Sequence, residues 1–374
     1  IYLLQRRPIK LPLPPGPPKL PVLGNLLDHP STLEWETYME WSKSYNSDIL
    51  HLSMAGKSVV ILSSMNAAVD LLQKRSAIYS DRVRLPMVNE LMRWEFNFGS
   101  SPFASPQAPQ LPVFDQLSNS TRPKQLSATH RLLRRSLQRP DRLLEDLRNM
   151  VGEIIIGSAY GLDVLPEDDP YVKLAEQANA GLIQGFIPGR FLVDSLPILK
   201  YVPRWFPGSG PYTTALMKEA IRWKPTAPVW IPHFVGVEDE YRGYRIPAGS
   251  VVIPNIWAIL HDEALYPEPY AFRPERFLIN GKLDPSAPTS DVAFGYGRRF
   301  CPGQDLSLSI LWITMASILA TFDITKAVGE DGKVIEPSCD YSSAFVLVPL
   351  PFEYSIKPRS KESEALIRST VDQE

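Results

Sequence analysis

The stretch Phe294-Gly295-Tyr296-Gly297-Arg298-Arg299-Phe300-Cys301-Pro302-Gly303 constrains this chain more than any other. It sets one of only two cysteines in a glycine-punctuated turn ahead of an apolar run, Leu306, Leu308, Ile310, Leu311 and Ile313, which predicts a helix. A sulfur that holds a metal must be deprotonated, approached by backbone donors and projected from a rigid turn. Gly297 and Gly303 tolerate positive φ or a close backbone approach. Arg299, a permanent cation two residues before the sulfur, favours a thiolate. Pro302 sits where the helix is expected to start. Cys301 then lies just before a helix N-terminus, whose N–H groups and dipole stabilise negative charge. Phe294 is placed to pack beneath the turn. A lone cysteine is more often a small buried hydrophobe, but five residues at fixed spacing favour a ligand.

Written Phe-x-x-Gly-x-Arg-x-Cys-x-Gly, this stretch resembles the haem-thiolate loop of the cytochrome P450 family. The resemblance implies a mainly α fold with small β-sheets (α+β) and haem b held through Cys301. It also implies that Arg299 pairs with a haem propionate and that Phe294, Gly297 and Gly303 shape the loop. Two further motifs agree. Phe272-Arg273-Pro274-Glu275-Arg276-Phe277 is similar to the family's Pro-Glu-Arg-Phe motif, and Glu219 and Arg222 are i,i+3 neighbours on a predicted helix, Tyr212–Trp223. In the family such residues form a buried charge triad, which implies a Glu219–Arg222–Arg276 clamp that fixes the cysteine loop. His233, after Pro232, matches a position that hydrogen-bonds a propionate in many members. Without the resemblance it reads as a surface residue of a β turn. His261 reads as a structural cap.

The chain has 374 residues, 44% hydrophobic and 21% charged, with a net charge of −2. That length supports a large buried core, and the charge gives no electrostatic case for nucleic acid. Cys301 and Cys339 cannot build a disulfide framework, which suits a reducing compartment. No run of about 18 apolar residues marks a membrane span. Residues 1–10, apolar and then basic at Arg6, Arg7 and Lys10, read as the remnant of an anchor with its cytosolic flank. Residues 11–25 are proline-rich and stiff, similar to the hinge that ties a microsomal member to its anchor. Residues 26–358 read as a single haem domain and 359–374 as a polar, frayed tail.

Within that domain the pattern predicts helices over Ser31–Tyr45, Asn66–Lys74, Gln125–Leu137, Asp141–Tyr160 and Pro170–Gly185. Ile49–Met54 and Ser58–Leu62 flank a hairpin turn at Ala55-Gly56-Lys57, Tyr241–Gly249 reads as a second hairpin, and Val251–Ile253 as a strand. Phe345–Leu350 and Phe352–Ile356 read as a last hairpin. The basic residues Arg131, Arg134 and Arg135 form a solvated helix face or a surface for a redox partner or lipid.

Two departures from the family stand out. Over 101–121, Pro102, Pro106, Pro109 and Pro112 forbid the helix that should carry a Trp-x-x-x-Arg pattern, and Trp94 is followed by Phe98 instead of Arg. Phe206 and Glu219 are too close in sequence to hold the long distal helix with its acid–threonine proton relay, and Ser209-Gly210-Pro211 looks like a seam. The resemblance implies a fungal microsomal-type monooxygenase at the cytosolic face of the endoplasmic reticulum. Such an enzyme takes electrons from an NADPH–cytochrome P450 reductase and uses O₂ to hydroxylate an apolar small molecule at the membrane surface. The departures favour inactivity of the isolated chain and keep two alternatives open: an inactive haem-binding remnant, and a relay-independent enzyme that uses peroxide.

Overall fold

The computed structural model describes residues 11–30, 32–83, 121–159, 162, 164–165, 169–172, 209–229, 231–341 and 346–370. The helix expected to be missing from 101–121, Trp94, and most of the helix expected over Pro170–Gly185 lie outside these residues. The helices, in chain order, are α1 Glu34–Ser44, α2 Met65–Ala68 (running on as a π-helical turn over Val69–Lys74), α3 Ser76–Tyr79, α4 Arg122–Gln138, α5 Leu143–Ala159, α6 Ser209–Trp223, α7 Ile256–Leu260, α8 Gln304–Thr321 and α9 Lys361–Ser369. The strands are β1 Ile49–Met54, β2 Lys57–Leu62, β3 Asp81–Arg82, β4 His233–Val235, β5 Asp239–Tyr241, β6 Tyr244–Ile246, β7 Ser250–Pro254, β8 Leu278–Ile279, β9 Lys282–Leu283, β10 Phe322–Lys326 and β11 Tyr354–Pro358. This is a helical protein with small sheets, as expected. It divides into two compact units interleaved in sequence: residues 1–108, 227–269 and 291–300 form the first, and residues 109–226, 270–290 and 301–374 the second.

The first unit is built on a sheet of order β1-β2-β7-β4-β3. The β1–β2 hairpin forms because Ala55 (φ 47°) and Gly56 (φ 87°) both take the left-handed conformation of a two-residue turn that matches strand twist. Arg242 (φ 50°) and Gly243 (φ 78°) do the same between β5 and β6. β2 runs parallel to β7, and β4 antiparallel to both β7 and β3. Helices α1 and α7 cover one another through Trp35 and Trp257, whose rings lie 6.4 Å apart. Asn255 caps α7 by accepting from the Ala258 N–H, and its Nδ2 donates to the Trp35 carbonyl at 2.8 Å. His261 ends α7: its Nδ1 donates to the Trp257 carbonyl and its ring stacks on Trp257 at 4.0 Å, a structural role.

The second unit is helical. Ala128, Leu132 and Leu133 of α4 and Met150 and Ile154 of α5 pack with Ile310 and Ile318 of α8, closed below by Phe322, Ile356 and Ile367. A second cluster joins Leu216 and Met217 of α6 to Met315 and Leu319 of α8. Two cores on different faces explain why α8 is apolar all round. Its 18 residues match a membrane span in length and hydropathy, contrary to the expectation of no such segment. Its packing against α4, α6 and α9 makes it a domain helix instead.

Two expectations for the C-terminal region fail. The last strand, β11, pairs with β10 and not with residues 346–350; Pro349 and Pro351 remove the N–H groups that a hairpin there needs. Residues 361–369, expected to fray, form α9, which is capped by Ser360 and anchored by the fully buried Ile367. Of the basic face of α4, Arg131 pairs with Glu153 and Arg134 donates to Thr370.

Candidate functional site

The cysteine loop is made of two short 3₁₀ turns, Asp291–Phe294 and Gly297–Arg299, before α8. Gly297 is dictated by its surroundings. Its φ is +54°, and a Cβ there would lie 2.5 Å from the Leu72 carbonyl oxygen, so the loop rests directly on the π-helical turn after α2. Gly303 is not dictated in this way: its φ is −90°, and a Cβ would meet only the Cys301 sulfur, at 3.9 Å. α8 begins at Gln304 with Gly303 as its N-cap residue, so Pro302 precedes the helix instead of opening it. Phe294, expected beneath the loop, is half-buried, and Tyr296 supplies the buried aromatic ring.

Cys301 is half-buried. Burial pushes its thiol up, against a smaller downward pull from the Gly303 N–H. Burial thus opposes the thiolate that the loop is expected to favour; a coordinating cation would favour it.

In the first unit, three cationic or basic side chains converge. Arg82 and His233 are directly opposite partners in the β3–β4 pair. His233 is wholly buried. Its Nδ1 donates to the Tyr79 carbonyl at 2.7 Å, and its Nε2 has no partner among the described residues. Burial, then Arg82, then Arg299 hold its pKa down to about 3 against a smaller rise from the Tyr79 bond. Arg299 is buried, and its Nε donates to the Ser80 carbonyl at 2.7 Å. Arg82 donates to the carbonyls of Ile231 and Pro232. Burial, reinforced by Arg299 and opposed by Asp81, lowers its pKa to about 9. A buried site that crowds two guanidiniums fits an incoming carboxylate, the group that a haem propionate presents; the unprotonated Nε2 of His233 could donate to it only after taking up a proton. Sequence reasoning found Arg299 and His233 but missed Arg82. Its signal is faint, an arginine closing Tyr79-Ser80-Asp81-Arg82.

In the second unit the charge triad forms. Arg222 donates to Glu219 through Nε at 2.7 Å and Nη2 at 2.9 Å, both side chains being fully buried. Arg276 reaches the same carboxylate through Nε at 3.2 Å, and the Arg273 N–H adds a bond at 2.7 Å. The Pro274–Phe277 turn is thereby fixed to α6.

The family model for cytochrome P450 matches residues 209–356, starting where α6 begins. The chain is 34% identical to cytochrome P450 monooxygenase ple1 of Rhodocybe pseudopiperita, over 96% of this chain and 91% of the relative. It is 34% identical to cytochrome P450 monooxygenase 98 of Postia placenta, over 99% and 95%. It is 31% identical to tryptamine 4-monooxygenase of Psilocybe cyanescens, over 96% of each chain. The first of these alignments runs over 478 positions, whereas the chain has 374 residues, so more than 100 positions of the relative have no counterpart here. The cysteine loop, the buried charge triad and relatives matched along almost their whole length agree: this chain belongs to the cytochrome P450 family of haem b monooxygenases.

Proposed function

We infer that the chain is a monooxygenase of apolar small molecules, with Cys301 as the residue that would hold the iron and Arg82 and Arg299 as residues that would pair with propionate carboxylates; His233 could join them only by taking up a proton. Bound haem supplies the reductive splitting of dioxygen and the insertion of one oxygen atom into a C–H bond. The protein supplies the rest. The Gly303 N–H holds the Cys301 sulfur, the two arginines neutralise propionate charge, and the Glu219 clamp keeps Arg276 and its turn in one arrangement. The observation that carries the haem assignment is the pair of buried guanidiniums, Arg82 and Arg299, crowded beside the wholly buried His233. Electrons are assigned to an NADPH-dependent reductase, and the setting to the cytosolic face of the endoplasmic reticulum membrane, with a role in secondary metabolism. The anchor-like basic start supports that setting. One relative is named for tryptamine, so an indole amine belongs in the substrate panel beside apolar compounds.

One observation favours a second reading, a haem-binding chain without turnover. The alignment with the 34% identical relative is 104 positions longer than the chain (478 against 374), and the sequence has no room for a distal helix and proton relay between Phe206 and Glu219. The reduced, CO-treated difference spectrum decides the haem assignment: a thiolate-type band lost in Cys301→Ala supports it, and no band in the parent chain ends it. Substrate-dependent NADPH consumption with reductase then separates the monooxygenase from the inactive haem protein.

A further inference from the structure

Helix α3 is a single turn, Ser76–Tyr79, and one turn has almost no stability of its own. Yet the two main-chain oxygens at its end carry the candidate propionate ligands: Tyr79 O accepts from His233 Nδ1, and Ser80 O accepts from Arg299 Nε, both at 2.7 Å. What holds this turn is Asp239 at the start of β5. Its carboxylate takes Arg75, the residue before α3, through Nη1 at 2.9 and 2.7 Å. It also takes the hydroxyl of Tyr79, the last residue of α3, at 2.8 Å. Arg75 donates further to the Glu240 carbonyl at 2.6 Å, and the Tyr79 side chain is fully buried. One carboxylate therefore ties both ends of the turn to the neighbouring β5–β6 hairpin.

We propose that Asp239 is a positioning residue for haem-propionate binding. It fixes α3 so that the Ser80 carbonyl holds the Arg299 guanidinium toward an incoming carboxylate and the Tyr79 carbonyl holds the His233 ring beside it. The inference rests on the haem assignment above and goes beyond it, because Asp239 itself touches neither ring nor iron. Partners that orient ligand-holding groups typically account for a tenfold to hundredfold share of affinity.

The test is a titration of the full haem-free chain with haem and, in parallel, with haem dimethyl ester, whose carboxylates are capped. Asp239→Ala is expected to weaken haem binding about tenfold while changing the ester by less than about twofold. Asp239→Asn keeps an oxygen acceptor for Tyr79 and is expected to restore most of the haem affinity. Equal losses for haem and ester, or no loss for haem, overturn the positioning role. If the parent chain shows no thiolate-type haem complex, the haem assignment falls and this inference with it. If the parent binds and the variants match it, only the positioning role falls. Should Asp239→Ala not fold, Tyr79→Phe, which removes one oxygen, carries the same comparison with the same two outcomes.

Discussion

His233 donates its Nδ1 proton to the main-chain oxygen of Tyr79 at 2.7 Å, and this one bond settles the state of the ring. A carbonyl oxygen can only accept, so Nδ1 carries the proton and the neutral ring offers a lone pair at Nε2. The ring has no exposure and faces Arg82 and Arg299, which together with burial hold its pKa near 3. In the haem-free chain the folded pKa thus lies below the ordinary 6.5, and the unfolded chain takes the proton first as pH falls. Stability is complete above the ordinary value and is lost towards pH 3, by about 1.4 kcal/mol per pH unit for each such proton. His51, lowered to about 4 by burial and Lys19, adds to the same slope. Urea unfolding across this range should show the slope, and His233→Gln should remove about one proton from it.

The clamp predicts a different asymmetry. Glu219 is buried among Arg222, Arg276 and the Arg273 N–H. Removing only the acid leaves the wholly buried Arg222 without its ion-pair partner, and breaking a buried pair from one side costs about 3–5 kcal/mol. Glu219→Gln should therefore lower urea stability by roughly that amount. The triple variant Glu219→Leu/Arg222→Leu/Arg276→Met should lose less than Glu219→Gln, because no charge of the triad is left behind.

The features legible in sequence were those written locally. Ala55-Gly56 and Arg242-Gly243 announced their turns, and the cysteine loop and charge triad were carried by motifs whose partners the fold then brought together. What escaped depends on distant partners. Nothing near Arg82 says that β4 will place His233 opposite it, and nothing near Asp239 says that Arg75 and Tyr79 will both reach it. Helix α9 was missed because a single buried residue, Ile367, anchors an otherwise polar segment. The cap at Ser360 with Glu362 and Glu364 in the first turn was its available signal. The upward push on the Cys301 thiol escaped for another reason: the sequence shows Arg299 near the sulfur but not how much water burial removes.

The two loop glycines should behave unlike one another. Gly297 is left-handed, and an added Cβ would strike the Leu72 backbone at 2.5 Å, so that main chain must move. Gly297→Ala should cost about 2 kcal/mol or more. Gly303→Ala meets only ordinary contact, and should change folding by less than about 1 kcal/mol. Thermal unfolding of the haem-free chain measures both without reference to the cofactor.

Helix α8 carries the last contrast, because its faces are not equally packed. Ala316, Ala320, Trp312 and Leu308 border a cavity of about 1070 Å³ together with residues of α4, α6 and α9. Leu319 instead sits packed in a core, at 1% exposure. A side chain enlarged toward empty space meets no resident atoms, whereas one shortened in a core leaves a void. Ala316→Leu should therefore be neutral or raise stability by up to about 1 kcal/mol, and Leu319→Ala should cost about 3 kcal/mol. Urea midpoints read at constant m-value decide between them. If Ala316→Leu is as damaging as Leu319→Ala, that face of α8 is filled in solution and the cavity is not open to a larger side chain.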